Sequence, residues 1–212
     1  MTPPDPDRFP EVRTRWSEVS GGIDAAHAYQ HRFDELVREG IDVDGEARFV
    51  TGLKEAPARI LDAGCGTGRI ATKLTALGHD VVGVDADPAM IEVARERDDV
   101  TRFVHADLTE LSLTSQTFDI VLLAGNVVPY LADGTLVDAL RRMREHLTLD
   151  GVLVAGWSLP GHEPKGAAAV DVETYEHAAF AAGLVLMTRY ASWDAERWPG
   201  EGSYALTLHR RR

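Results

Sequence analysis

Cysteine is almost missing from this chain. One thiol, Cys65, stands among 212 residues, so no intrachain disulfide can form, and no Cys/His cluster has zinc-site spacing. That usage suits a reducing cytoplasm. Basic residues are also short: 22 Lys and Arg face 34 Asp and Glu, for a formal charge of −12. Nucleic-acid affinity comes largely from cationic side chains displacing counterions, so a DNA or RNA partner is not expected. No apolar run reaches the ~18 residues of a membrane helix. The first ten residues carry four prolines, which reads as a loosely draped tail rather than a secretory leader, so neither membrane nor export is expected. Repeats and long linkers are absent too, and the length fits one α/β domain.

What is present centres on Ile60-Leu61-Asp62-Ala63-Gly64-Cys65-Gly66-Thr67-Gly68-Arg69. An apolar run ending in an acid, three alternate glycines and a helix-like segment over residues 70–77 read as strand, tight loop, helix. Glycines allow positive φ and close approach of a ligand to the backbone, and the N–H groups of the next helix end point toward it. A second strand over residues 80–85 ends in Asp85, which puts a carboxylate beside the same pocket for a ribose diol. Asp87 precedes Pro88 and has a different job, capping the helix over residues 89–97. The dinucleotide fingerprint G-x-G-x-x-G fails here, because Arg69 occupies the third glycine position. That argues against NAD.

The run Asp-x-Gly-x-Gly-x-Gly resembles motif I of the class I S-adenosylmethionine-dependent methyltransferases, and the resemblance covers roughly residues 59–157. It implies one Rossmann-like, doubly wound α/β domain. Its sheet would be mostly parallel and seven-stranded, with an antiparallel C-terminal edge pair over residues 184–193 and 203–209. The domain would span residues 58–212, with residues 1–57 forming an N-terminal tail and helical lid. S-adenosylmethionine is the implied cofactor and S-adenosylhomocysteine its product. Asp62 would anchor the glycine loop or the methionine amino group, while Gly64, Gly66 and Gly68 shape its wall. Cys65 sits inside that loop as a structural residue, and Ala86, Ala106 and Ala124 are neighbours along the strand ends. Asp85 would take the ribose. Asp107 would accept from the adenine amino group with Leu108 beside it, or simply cap a turn, and Met90 would touch the ring or pack in the core.

On the helix read over residues 24–38, Tyr29, Phe33, Leu36 and Val37 form a stripe that packs on the domain. In the lid reading Tyr29 and Arg32 reach the methionine end, Arg32 because a guanidinium pairs well with a carboxylate. His27 and His31 share a face but lack a completing Glu, so they read as solvated. The loop Gly125-Asn126-Val127-Val128-Pro129-Tyr130 ends the fourth strand and should face the acceptor. It lacks the adjacent prolines of nucleic-acid amino methyltransferases, which weighs against a base as substrate. Asn126 and Tyr130 are its site candidates. His162, in the loop after the fifth strand, is a general-base candidate or an exposed histidine. His105 is open between the same two roles. An Asp150-Gly151 turn leads into a fifth strand over residues 152–157, and Trp193 and Trp198 are either an acceptor wall or cover for the sheet edge. A small-molecule acceptor is expected. Nothing in the residues selects a monomer over a homodimer. Rival readings are a nicotinamide-dependent oxidoreductase and a protein that binds the cofactor without turnover.

Overall fold

The strands are the frame, and the computed structural model describes residues 14–114 and 116–212. Expectations for residues 1–13 lie outside that range. In chain order the elements are α1 (Arg15–Val19), α2 (Gly22–Arg38), α3 (Gly45–Leu53), β1 (Arg59–Ala63), α4 (Arg69–Ala76), β2 (Asp80–Asp85), α5 (Pro88–Arg97), β3 (Arg102–His105) and β4 (Phe118–Leu123). They continue with α6 (Val127–Tyr130), α7 (Leu136–Glu145), β5 (Leu147–Ser158), α8 (Val172–Ala181), β6 (Leu184–Tyr190) and β7 (Tyr204–Arg211). The seven strands lie in the order β3-β2-β1-β4-β5-β7-β6. All neighbours from β3 through β5 run parallel, and β7 pairs antiparallel with both β5 and β6. The expected mixed sheet with its C-terminal edge hairpin is therefore the observed one.

Parallel strands need cover on both faces, and their apolar runs supply it in alternation. Along β1, Ile60 belongs to the core shared with α3, α4 and α5, and Leu61 to the core shared with α7 and α8. The second layer is anchored by Trp157 and Tyr175, both fully buried, with ring centroids 4.4 Å apart. Each such side chain contributes about 1.5–3 kcal/mol by leaving water. Trp157 also donates from Nε1 to the Val170 carbonyl at 2.8 Å, which keeps its one polar atom satisfied.

The sheet order puts β1 and β4 side by side at the point where connections change direction, so the loops after them open a crevice at the strands' carboxyl ends. Over that crevice lies α2, packed through Ala26 on Met90 and Val93 of α5. Gln30 of α2 is buried, accepts from Thr67 Oγ1 at 2.5 Å and donates to Asp34 Oδ1 at 2.9 Å. Asp34 in turn pairs with Arg97 at 3.1 Å. The helix is thus fastened both to the glycine loop and to α5.

Two expectations need correction. The stripe predicted on α2 does not extend to Val37, which is 57% exposed, because the helix rests on Ala26 and Gln30 and its last turn runs past the domain edge. The turn at Asp150-Gly151 is instead a bulge inside β5. Register with β4 jumps there from Phe118↔Leu147 to Ile120↔Val152, so the chain stays paired while shedding extra residues outward.

Candidate functional site

A cavity of about 620 Å³ opens where the glycine loop, the ends of β2 and β4, and helices α1 and α2 meet. Its volume falls within the range of ~300–1,000 Å³ usual for small-ligand sites. The loop's shape follows from its glycines. Gly64, Gly66 and Gly68 have φ of 83°, 54° and 81°, values that a side chain disfavours. The N–H groups of Gly64 and Cys65 both donate to the Val84 carbonyl, at 2.7 and 2.9 Å. The Gly66 N–H donates to Asp85 Oδ2 at 2.7 Å. At Gly68 the limit is packing, since a Cβ would come 2.6 Å from Phe103 Cζ.

Asp85 also accepts the Asp87 N–H on Oδ1 at 2.9 Å. Burial pushes its carboxyl up to about 6, with the two backbone donors pulling the other way. Asp87 has both oxygens occupied: Oδ1 accepts from Ala89 N at 2.9 Å as the helix cap, and Oδ2 from Trp16 Nε1 at 2.8 Å. Behind the loop, Asp62 is 1% exposed, and its Oδ2 finds no hydrogen-bond partner among the described residues. Burial pushes this carboxyl up to about 7. Asp107 holds a tight turn, accepting from the Thr109 N–H at 2.6 Å and from the Thr109 hydroxyl on Oδ1.

Eleven of the residues singled out in the sequence border this cavity: Tyr29, Arg32, Gly64, Gly66, Asp85, Ala86, Met90, Asp107, Leu108, Asn126 and Tyr130. Asp62, Cys65, Gly68, Ala106 and Ala124 stand behind its walls. The Cys65 thiol packs in the core under the loop, where burial pushes it well above its usual range. His162 is exposed and lies outside the lining, and His105 Nε2 is engaged with the Ala86 carbonyl at 3.0 Å. Trp193 does not form an acceptor wall, because it packs against Phe49 and donates to Tyr204 Oη at 2.9 Å. Trp198 borders a second cavity of about 780 Å³ between α8 and β6, which none of the predicted site residues reaches. His27 and His31 lie near Glu96 and Glu35 instead, at 3.6 and 3.4 Å.

Several wall residues were not anticipated. Trp16 of α1 stands edge-on to Tyr29 and Tyr130, with ring centroids 6.3 and 5.3 Å away. α1 is capped by Thr14, whose hydroxyl accepts from Ser17 N at 3.1 Å, and Arg15 pairs with Asp133 at 2.7 Å. Glu46 of α3 holds Arg69 in a two-point ion pair of 2.6 and 3.1 Å, and that guanidinium also donates to the Val43 carbonyl and lies 4.7 Å from the Phe33 ring centroid. Arg69 was legible only as a missing glycine. Its signal was that a long cation at a loop-helix junction needs a carboxylate, but no spacing in the sequence says which one. Val127 lies so close over Gly64 that a Cβ there would meet its Cγ2 at 2.3 Å.

The loop after β4 is not extended. Asn126 takes a left-handed φ of 70° and leads directly into the short helix α6. Its side chain is fixed, Oδ1 accepting from the Ser158 N–H at 2.7 Å. Tyr130 donates from its hydroxyl to the Lys165 carbonyl at 3.1 Å. Burial raises both Tyr29 and Tyr130 above the usual phenol range.

Comparison with known proteins agrees with this geometry. A family model described as a methyltransferase domain matches residues 60–151. A ubiquinone biosynthesis O-methyltransferase of Azorhizobium caulinodans is 32% identical over 160 residues, covering 73% of this chain and 61% of that protein. A demethylmenaquinone methyltransferase of Clavibacter sepedonicus is 43% identical over 113 residues, or 50% of this chain and 45% of that one. The chain spans about half the length of such curated relatives, the matched share running from 38% to 63%. Among solved structures, a TehB-like SAM-dependent methyltransferase from Corynebacterium glutamicum superposes with a TM-score of 0.81 at 31% identity, covering 88% of this chain and 98% of that one.

Proposed function

The chain belongs to the class I S-adenosylmethionine-dependent methyltransferases, and on that premise we propose that it transfers a methyl group from S-adenosylmethionine to a small-molecule acceptor. The observation that carries this reading is the glycine loop whose Gly66 N–H is clamped by Asp85 at the cavity wall. A carboxylate with each oxygen already oriented by a backbone donor is set to accept from a vicinal diol. Asp87 does not border the cavity, and its oxygens serve the helix cap and the Trp16 indole.

The other residues would hold the cofactor as follows. Asp107 accepts from the adenine amino group, with Leu108 and Met90 as the apolar sides of that slot and Ala86, Ala106 and Ala124 shaping its floor. Gly64 and Gly66 give the backbone wall, and Asp62 stiffens it from behind. Arg32, which forms no ion pair with a described residue, takes the carboxylate, and Tyr29 covers the methionine end. The orphaned Asp62 Oδ2 and the space in front of Gly66, where a Cβ would meet nothing nearer than Tyr29 Cε1 at 3.9 Å, fit a ligand lying along the loop. When bound, S-adenosylmethionine supplies a methyl group made electrophilic by its sulfonium charge. The chain's part is to hold the acceptor in line and exclude water, effects that together can supply about 7–11 kcal/mol.

Residues 1–57 act in this proposal as a tail and helical lid on a methyltransferase domain of residues 58–212, supported by the way α1 and α2 border the cavity. The relatives named for ubiquinone and menaquinone biosynthesis support a small molecule as acceptor, and the charge of −12 weighs against nucleic acid. No helix among the described residues is long and apolar enough to cross a membrane. A lone, core-packed thiol suits the reducing cytoplasm we assign. Calorimetric titration with S-adenosylmethionine tests the reading. Saturable heat at 1:1 is expected, and its absence would refute it. Release of S-adenosylhomocysteine with candidate acceptors then separates turnover from binding alone.

A further inference from the structure

We infer that Asn126 selects the acceptor by donating a hydrogen bond, so that the substrate is a small molecule with an apolar body that presents an oxygen acceptor to this side chain. The inference rests on the methyltransferase reading and deepens it. It begins from which polar handles on the acceptor side of the cavity are already tied down. The Trp16 indole N–H is committed to Asp87 at 2.8 Å and the Tyr130 hydroxyl proton to the Lys165 carbonyl at 3.1 Å. Both rings line the cavity, and with Val127 and Leu131 they leave it a largely apolar wall.

Asn126 is the polar group set into that wall. Its orientation is decided by chemistry, since the Ser158 backbone N–H can only donate and the amide atom 2.7 Å from it must be the oxygen. Oδ1 is therefore spent on the end of β5. The Nδ2 group bonds no described residue and is not sealed from solvent, so the amide offers N–H donors. A left-handed backbone at a residue other than glycine is the kind of local strain found at binding sites. Here the Ser158 bond holds that conformation in place. A site built to donate accepts an oxygen and discriminates against a group in the same position that has only N–H to offer.

The test uses protein loaded with S-adenosylhomocysteine and two ring-matched probes, acetophenone, whose carbonyl only accepts, and aniline, which offers N–H, with dissociation constants from calorimetry. The wild type should bind acetophenone about tenfold more tightly than aniline. Asn126→Asp keeps an oxygen for Ser158 and tolerates the left-handed backbone, but exchanges donors for an acceptor. It should reverse the order of the two probes while holding S-adenosylhomocysteine within about twofold of wild type. Asn126→Gly removes the amide and should bring the ratio near one. An unchanged ratio in Asn126→Asp, a wild-type preference for the aniline, or no binding of either probe would each overturn the inference. Loss of S-adenosylhomocysteine binding by the wild type would instead refute the methyltransferase reading beneath it.

Discussion

Replacing Asp85 with Asn removes the charge while keeping the shape, and the consequences can be worked from two distances. In the wild type Oδ2 holds the Gly66 N–H at 2.7 Å and Oδ1 the Asp87 N–H at 2.9 Å. An amide has one oxygen, so one backbone donor must face an NH2 group whichever way the side chain turns. The loop then loses a bond, and the ligand diol loses a charged acceptor worth about 1.5–3 kcal/mol. Affinity for S-adenosylmethionine should fall by about 10–150-fold. The matched control is Asp87→Asn, which remains a good helix cap and should shift affinity by no more than about threefold. Calorimetry on both variants, with urea unfolding alongside to exclude a general loss of structure, makes the comparison. The pH dependence adds a second readout. Because burial lifts the Asp85 carboxyl to about 6, the ionised form that accepts the diol grows in as pH rises through 6. Wild-type affinity should therefore climb between pH 5 and 7 and level off, while the Asn variant should show no such rise. Equal losses in the two variants, or an Asp85→Asn protein that binds as wild type does, would refute the assignment.

Other perturbations have equally definite outcomes. Asp62 has its carboxyl raised from 3.8 to about 7 by burial, so the folded state binds the proton more tightly; its contribution to stability is complete below 3.8 and is lost as pH rises toward 7. Asp62→Asn should accordingly gain stability relative to wild type between pH 5 and 8, as urea midpoints would show, and a difference independent of pH would contradict this. Gly64→Ala puts a Cβ 2.3 Å from Val127 Cγ2 at a φ of 83°, which should cost about 1–3 kcal/mol by chemical denaturation. Adding Val127→Ala should recover the steric part only. Glu46→Gln leaves the Arg69 guanidinium without its anion at a site where the two side chains are 16% and 18% exposed; a loss of about 2 kcal/mol is expected, below that of a fully sealed pair, with urea denaturation as the measurement.

The sheet was legible because a parallel strand covered on both faces is written as a near-continuous apolar run, and residues 81–84 and 120–124 are such runs, while residues 60–63 are broken only by Asp62. The glycine loop and Asp87 were legible for a similar reason: positive φ and helix capping are local demands that select particular residue types. What escaped is non-local. Trp16 and Asp87 are 71 positions apart, and Glu46 and Arg69 are 23 apart; neither spacing has a period, so only the fold brings them together. α1 escaped as well, because five residues hold too few intrahelical bonds to leave a 3.6-residue pattern. The bulge in β5 misled for the opposite reason. Asp-Gly is a strong turn signal, but here the ladder on either side of it outweighs the local preference.

Asn126 shows where residue type alone stops being informative. An asparagine in the loop after the fourth strand suggests an amide that faces the acceptor, yet an amide is both donor and acceptor, and its name does not say which half faces the cavity. That is settled by Ser158, 32 residues away, whose N–H can only give. Position relative to the cavity divides Asp85 from Asp87. The two are alike in sequence and two positions apart, and each accepts one hydrogen bond on each oxygen, but only Asp85 borders the cavity and is proposed for the ribose. Each proposed assignment follows from asking which groups the fold turns to the cavity and which of their protons and lone pairs it leaves unused.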